Sequence, residues 1–151
     1  MKKALIIVGI IILAIILTVA AIVVAVNVTL GNAAKLQTYD FGVDKIPSLN
    51  SVVGDRKVTS AGSSTNSNGV QTKNYTYESA TYSEDWLAYH YALQAEGVPI
   101  TKSREGNDFN GSIQYCYISA DEGKIILVDL SWESNRVSLV LTKTPGTYTP
   151  N

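Results

Sequence analysis

The chain reads as an α+β protein. An N-terminal transmembrane helix leads into a two-layer outer domain of one helix packed on an antiparallel sheet, in the order β-β-α-β-β-β-β. Three observations predict this. Residues 4–26, ALIIVGIIILAIILTVAAIVVAV, contain no charge, and Thr18 is their only polar side chain. The segment SEDWLAYHYALQAEG (83–97) carries helix start and stop signals around an apolar face. Three segments between 112 and 143 alternate apolar and polar residues and are joined by short turns.

A helix over 4–26 would be roughly 34 Å long, enough for a hydrocarbon core of about 30 Å. In lipid a lone span must satisfy its own backbone hydrogen bonds, so Ile and Val are no obstacle to helix there. A cleaved signal peptide is the alternative, but such signals carry a shorter apolar run of about 7–15 residues and a small-x-small site. Lys2 and Lys3 precede the run, and the next cation is Lys35. The expected location is therefore the cell membrane, single-pass, with residues 1–3 cytoplasmic and the C-terminal part extracytoplasmic.

Residues 27–48 show no sustained period and are broken by Gly31, Gly42 and Pro47, so a juxtamembrane stalk is expected there. The outer domain is expected over 49–143. Residues 51–61 give a first strand, 62–71 a Ser/Asn/Gly loop with the turn dipeptide Asn68-Gly69, and 72–79 a strand with Tyr75 and Tyr77 on one face. Ser83 is expected to cap a helix over 84–96, Glu84 and Asp85 to face its positive end, and Gly97 to stop it before Pro99. Trp86, Tyr89 and Leu93 then form one face, flanked by Leu87 and Tyr91.

Residues 98–103 suggest a short strand and 104–111 a loop. Strands follow at 112–119, 124–132 and 136–143, with three-residue turns DEG and ESN forcing antiparallel pairing. The expected core is Trp86, Tyr89, Leu93, Val128, Leu130, Leu139 and Leu141. Residues 144–151 read as a flexible tail.

Composition limits the chemistry. Beyond Lys2 and Lys3, ten basic residues face thirteen acidic ones without a basic cluster, so nucleic acid is not an expected partner. Cys116 is the only cysteine and His90 the only histidine. This pair cannot supply the usual zinc sets, and Cys116, mid-strand among bulky residues, reads as a structural thiol. His90 has no carboxylate three or four residues away on its helix, so no catalytic residue is assigned. NDFNG (107–111) resembles part of a calcium loop, but Gly106 and Tyr117 would fill its end positions, where acids belong. No metal and no cofactor are expected.

The remaining signal is aromatic. All nine tyrosines and both tryptophans follow the apolar run. Tyr75, Tyr77, Tyr82, Tyr89, His90 and Tyr91 form the candidate contact surface, because rigid amphipathic rings suit contact with proteins and sugars.

The opening MKK with its long span, IPSL, the YTY strand, SEDWLAYHYALQAEGV and GKIILVDL together resemble small uncharacterised membrane-anchored extracytoplasmic proteins of Gram-positive bacteria. The resemblance implies a bacterial cell envelope location and carries over no site residue. Type IV pilin-like subunits also join an apolar helix to a sheet, but this chain has no acid before Asp40. The expected function is a non-enzymatic binding or accessory module, anchored through residues 4–26, whose partner is an envelope protein or a wall polymer. The alternatives are a self-assembling pilin-like subunit and a secreted protein with a cleaved signal.

Overall fold

In the computed structural model the described residues are 2–149, with side chains from Ile11 onward. Met1, the side chains of Lys2 and Lys3, and the last two residues of the expected tail lie outside the described part.

Helix α1 (Lys2–Ala34) is one continuous element of 33 residues. Residues 11–29 are exposed on every side. The stretch Ile11–Ala34, whose most apolar 18-residue window has a mean hydropathy of 3.0, is long and apolar enough to cross a membrane. The helix continues past the charge-free run. Its last turn meets the core of the following domain through Leu30, Ala33 and Ala34, with Leu36 just beyond. Asn50 locks this junction by donating from Nδ2 to Ala34 O at 2.9 Å and to Arg56 O at 3.0 Å.

The expected stalk is therefore absent. Residues 38–47 instead form a hairpin, β1 (Thr38–Phe41) and β2 (Asp44–Pro47). Tyr39, Phe41 and Ile46 point into the core. Gly42 turns the chain at a positive φ of 82°, and its N–H donates to Asp40 Oδ1 at 2.7 Å. A short helix α2 (Leu49–Val53) replaces the start of the expected first strand, because Ser48 caps it by accepting from Ser51 N at 3.1 Å.

The strands β3 (Lys57–Thr65), β4 (Gln71–Glu78), β5 (Ile100–Gly106), β6 (Asn110–Ile118), β7 (Lys124–Glu133) and β8 (Arg136–Pro145) make one antiparallel sheet in the order β3-β4-β8-β7-β6-β5. Helix α3 (Tyr82–Ala95) packs on one face of it. The predicted α+β class and the order of strands around the helix hold. The boundaries move where the ladder outweighs composition: β3 extends through polar Gly62–Thr65 because each of those residues pairs with β4. The β7–β8 turn is shorter than expected. Glu133 pairs directly with Arg136, and Ser134 and Asn135 both adopt positive φ, which suits the strand twist.

Period-two burial sets the core. Ile126, Val128, Leu130 and Trp132 of β7 and Val137, Leu139 and Leu141 of β8 are buried on the helix side, as their alternation predicts. Gly97 ends α3 at φ 76°, with Gly97 N bonded to Gln94 O and Val98 N to Leu93 O, the two bonds of a Schellman stop. The N-terminal end differs from expectation. Thr81, rather than Ser83, precedes the helix and makes no side-chain cap bond. Asp85 is buried and takes a forked pair of bonds from Arg56, Nε at 2.7 Å and Nη2 at 2.9 Å, plus one from Ser79 Oγ at 2.6 Å. The Asp85 carboxylate thus ties α3 to the start of β3.

Candidate functional site

The six candidate contact residues divide by burial. Tyr75, Tyr77 and Tyr89 are buried, so they do not belong to a surface. The missing cover was the β1–β2 hairpin, which lies over their face of the sheet. Tyr39 stacks on Tyr75 with ring centroids 4.6 Å apart. Its hydroxyl lies 2.7 Å from that of Tyr77 and accepts from Leu49 N at 3.0 Å. Tyr89 donates to Pro47 O at 2.7 Å. Burial pushes the Tyr77 phenol up to about 12 and raises Tyr39 and Tyr89 well above their ordinary value. These hydroxyls are internal fasteners between the sheet, the hairpin and α2.

Tyr82 and His90 are half-buried, and Tyr91 stands 61% exposed. His90 Nδ1 lies 2.6 Å from Tyr115 Oη. Its partner is a phenol rather than a carboxylate, and burial together with nearby Arg104 lowers its pKa. Cys116 follows Tyr115 on β6 and so faces the opposite side of the sheet. Its thiol is buried, and burial raises its pKa. Sheet and backbone separate these two side chains.

Beside His90 lies an aromatic stack. Trp86 of α3 and Trp132 of β7 are 3.9 Å apart at 9°. The Arg104 guanidinium covers them, 4.9 Å from the Trp86 ring and 5.8 Å from the Trp132 ring. Gly111 pairs with Trp132 across the β6–β7 ladder, and a Cβ there would come within 2.7 Å of the indole. Only the bare glycine lets Trp132 lie against its neighbour strand and meet Trp86. Trp132 Nε1 donates to Asn107 O at 2.9 Å, which fixes the β5–β6 turn. Asn107 Oδ1 in turn accepts from Phe109 N and Asn110 N at 2.8 and 3.0 Å. This turn is the calcium-like stretch, and its Asp108 pairs with Arg104 at 2.6 Å. The turn leaves Phe109 69% exposed.

Of the candidate contact residues the outward flank of α3 therefore keeps His90 and Tyr91, while half-buried Tyr82 packs against the core; exposed Leu87 joins them from the same helix, and the β5–β6 hairpin adds Arg104 and Phe109. The added residues were unreadable because the stack that gathers them depends on long-range register.

A second constellation was also missed. Lys143 is 4% exposed, and its ammonium donates to Phe41 O at 3.1 Å, Asp44 Oδ2 at 2.7 Å and Asp121 Oδ2 at 2.6 Å. Its signal was available, since Lys143 continues the inward parity of Val137, Leu139 and Leu141. Burial lowers the Lys143 pKa, but hydrogen bonds to Asp121 and Asp44 outweigh it and raise the pKa overall. Burial would raise Asp44, yet hydrogen bonds from Lys143, Ser119 and Ala120 hold it below the usual carboxylate range. All three Lys143 protons are engaged, so the ammonium serves as a clamp joining β8, the β1–β2 hairpin and the β6–β7 loop. No protein-family model matches the chain, and no curated protein is similar to it.

Proposed function

We propose that the chain is a single-pass anchored extracytoplasmic module of the bacterial envelope that binds a protein or wall polymer and does no catalysis. The observation that carries this reading is the contrast within α1. Residues 11–26, apolar except for Thr18, are exposed in every direction, while the last turn of the same helix is built into the core of the domain. Such a helix fits a bilayer better than water. The orientation rests on Lys2 and Lys3 before the span.

The non-catalytic part rests on how the polar groups are used. His90 is spent on Tyr115, Asp85 on Arg56 and Ser79, and Lys143 on three acceptors. The contact surface is the α3 flank with Leu87, His90, Tyr91, Arg104 and Phe109. Assembly through the sheet edge is the less favoured reading. Edge strand β5 carries Lys102, Arg104 and Glu105, and its register shifts twice, features that oppose edge-to-edge pairing.

The test uses Phe109→Cys in intact cells of the source organism, with a membrane-impermeant maleimide. Buried Cys116 keeps the background low. Labelling of the variant is expected. Labelling only after the cells are lysed refutes the orientation. A photoreactive residue at position 91 should then capture a distinct envelope component, and a ladder of the chain's own multiples would favour self-assembly instead.

A further inference from the structure

A cleft of about 460 Å³ lies on the face of the sheet turned away from α3. Small-ligand sites span about 300–1,000 Å³, so its size suits one. Cys116 of β6 with Ile125 and Leu127 of β7 form the floor, and Ile100 and Thr101 of β5 form one side. The other side is Thr147, Tyr148 and Thr149, just past the end of β8. Two features lay this segment over the sheet. Gly146 N donates to Gly123 O at 2.9 Å. The bare Gly146 also lies against Ile125, where a Cβ would come within 3.1 Å of Cδ1.

The lining selects the ligand by what it cannot satisfy. No charged residue lines the cleft. An ionic ligand would lose hydration there and meet no counter-charge. A hydrocarbon chain would match the floor but leave the rim hydroxyls without partners. Thr147, Tyr148 and Thr149 make no side-chain hydrogen bond among the described residues, whereas Thr101 Oγ1 is taken up by Gln114 Oε1 at 3.0 Å. An extended peptide draws its affinity from free backbone groups. The floor offers none to it, because Cys116 is laddered to Leu127 and Ile100 to Tyr115. A neutral ring with one apolar face and several hydroxyls satisfies both the floor and the rim. Each rim hydroxyl can donate and accept, as such a ligand requires.

We propose that this cleft seats one neutral saccharide unit, with its apolar face on Cys116, Ile125 and Leu127 and its hydroxyls on Thr147, Tyr148 and Thr149. The inference deepens the binding reading above by naming a glycan as the polymer, at a site across the sheet from the α3 flank. It rests on that reading for where the glycan is met, and on the cleft alone for the chemistry of the ligand.

The full chain is carried in lipid nanodiscs, so that no glycoside detergent competes, and titrated with a neutral N-acetylglucosamine trimer under saturation-transfer NMR. The wild type should transfer saturation to the ring protons of the sugar. Tyr148→Ala should weaken binding several-fold. Thr147→Trp, at an exposed position outside the core, should fill the cleft and abolish binding with an unchanged circular dichroism spectrum. An oligomer of uronic acids, which carries a carboxylate on each ring, should bind several-fold more weakly than the neutral trimer. No transfer in the wild type, or equal transfer in all three forms, overturns the cleft assignment. Equal binding of the uronic acid oligomer, or of a neutral Gly/Ser peptide, overturns the chemical class. If the maleimide test refutes the orientation while the trimer still binds, the wall falls as the source of the sugar and the chemistry of the cleft stands.

Discussion

Trp86 offers a sharp contrast between two substitutions. It is 3% exposed and stacked on Trp132. Its indole N–H is buried without a hydrogen-bond partner. Trp86→Ala removes the ring and leaves a cavity beneath Arg104, for a cost of about 3–5 kcal/mol. Loss of the aromatic pair with Trp132 accounts for about 0.5–1.5 kcal/mol beyond buried area. Trp86→Phe keeps an aromatic face for both Trp132 and Arg104 and deletes the orphaned donor. An unsatisfied buried N–H costs about 1–3 kcal/mol. Relief of that cost offsets most of the lost ring volume, so Phe should sit within about 1 kcal/mol of wild type. Urea unfolding of the full chain in detergent micelles, followed by circular dichroism, gives both numbers. The reasoning fails if Ala costs under about 1 kcal/mol, or if Phe costs as much as Ala.

Lys143→Met should destabilise by about 3 kcal/mol, the low end for orphaning a partner of a buried pair. Asp44 keeps its bonds from Ser119 and Ala120, and surface Asp121 rehydrates. Because the folded state depresses the Asp44 and Asp121 pKa values, their stabilisation is present above the unfolded value near ~3.9 and is lost as pH falls through the lower folded values. The deficit of Lys143→Met against wild type should accordingly be largest near neutrality and shrink in acid, as read from denaturation midpoints across pH. His90 has a depressed folded pKa, so its imidazole should titrate below the ordinary value near ~6.5 by NMR. Its stabilising share should vanish as pH drops through that window. Gly97→Ala should cost about 1 kcal/mol in thermal unfolding, since the Schellman stop holds position 97 in the left-handed region.

Strands β6 to β8 were legible because each alternates over enough residues to name its buried face, and α3 because its stop is written in Gly97 and Pro99. Legibility ended where one element covers another. The alternation of Tyr75 and Tyr77 shows that they share a face but not whether that face is roofed. The roof, β1–β2, is four residues to a strand, too short for a period to emerge around Asp40 and Gly42. Reading it as a stalk made three core tyrosines look available for contact. Lys143 illustrates a different loss. Its parity placed it inside, but its acceptors come from residues 41, 44 and 121, which only the fold brings together. The Trp86–Trp132 stack likewise needs Gly111 opposite Trp132, a register no local pattern reveals.

The welded junction between α1 and the domain sets how far the molecule can search. On the proposed reading it has no tether to swing on and no reach toward distant layers of the envelope. The domain would drift in the plane of the bilayer and spin about its normal, holding one tilt and one height. A partner in the same membrane would then meet the α3 flank after a two-dimensional search with most of the orientational entropy of docking already spent, so even a modest contact area could hold it. Inserting a flexible Gly/Ser segment between Ala34 and Leu36 would separate anchoring from aiming.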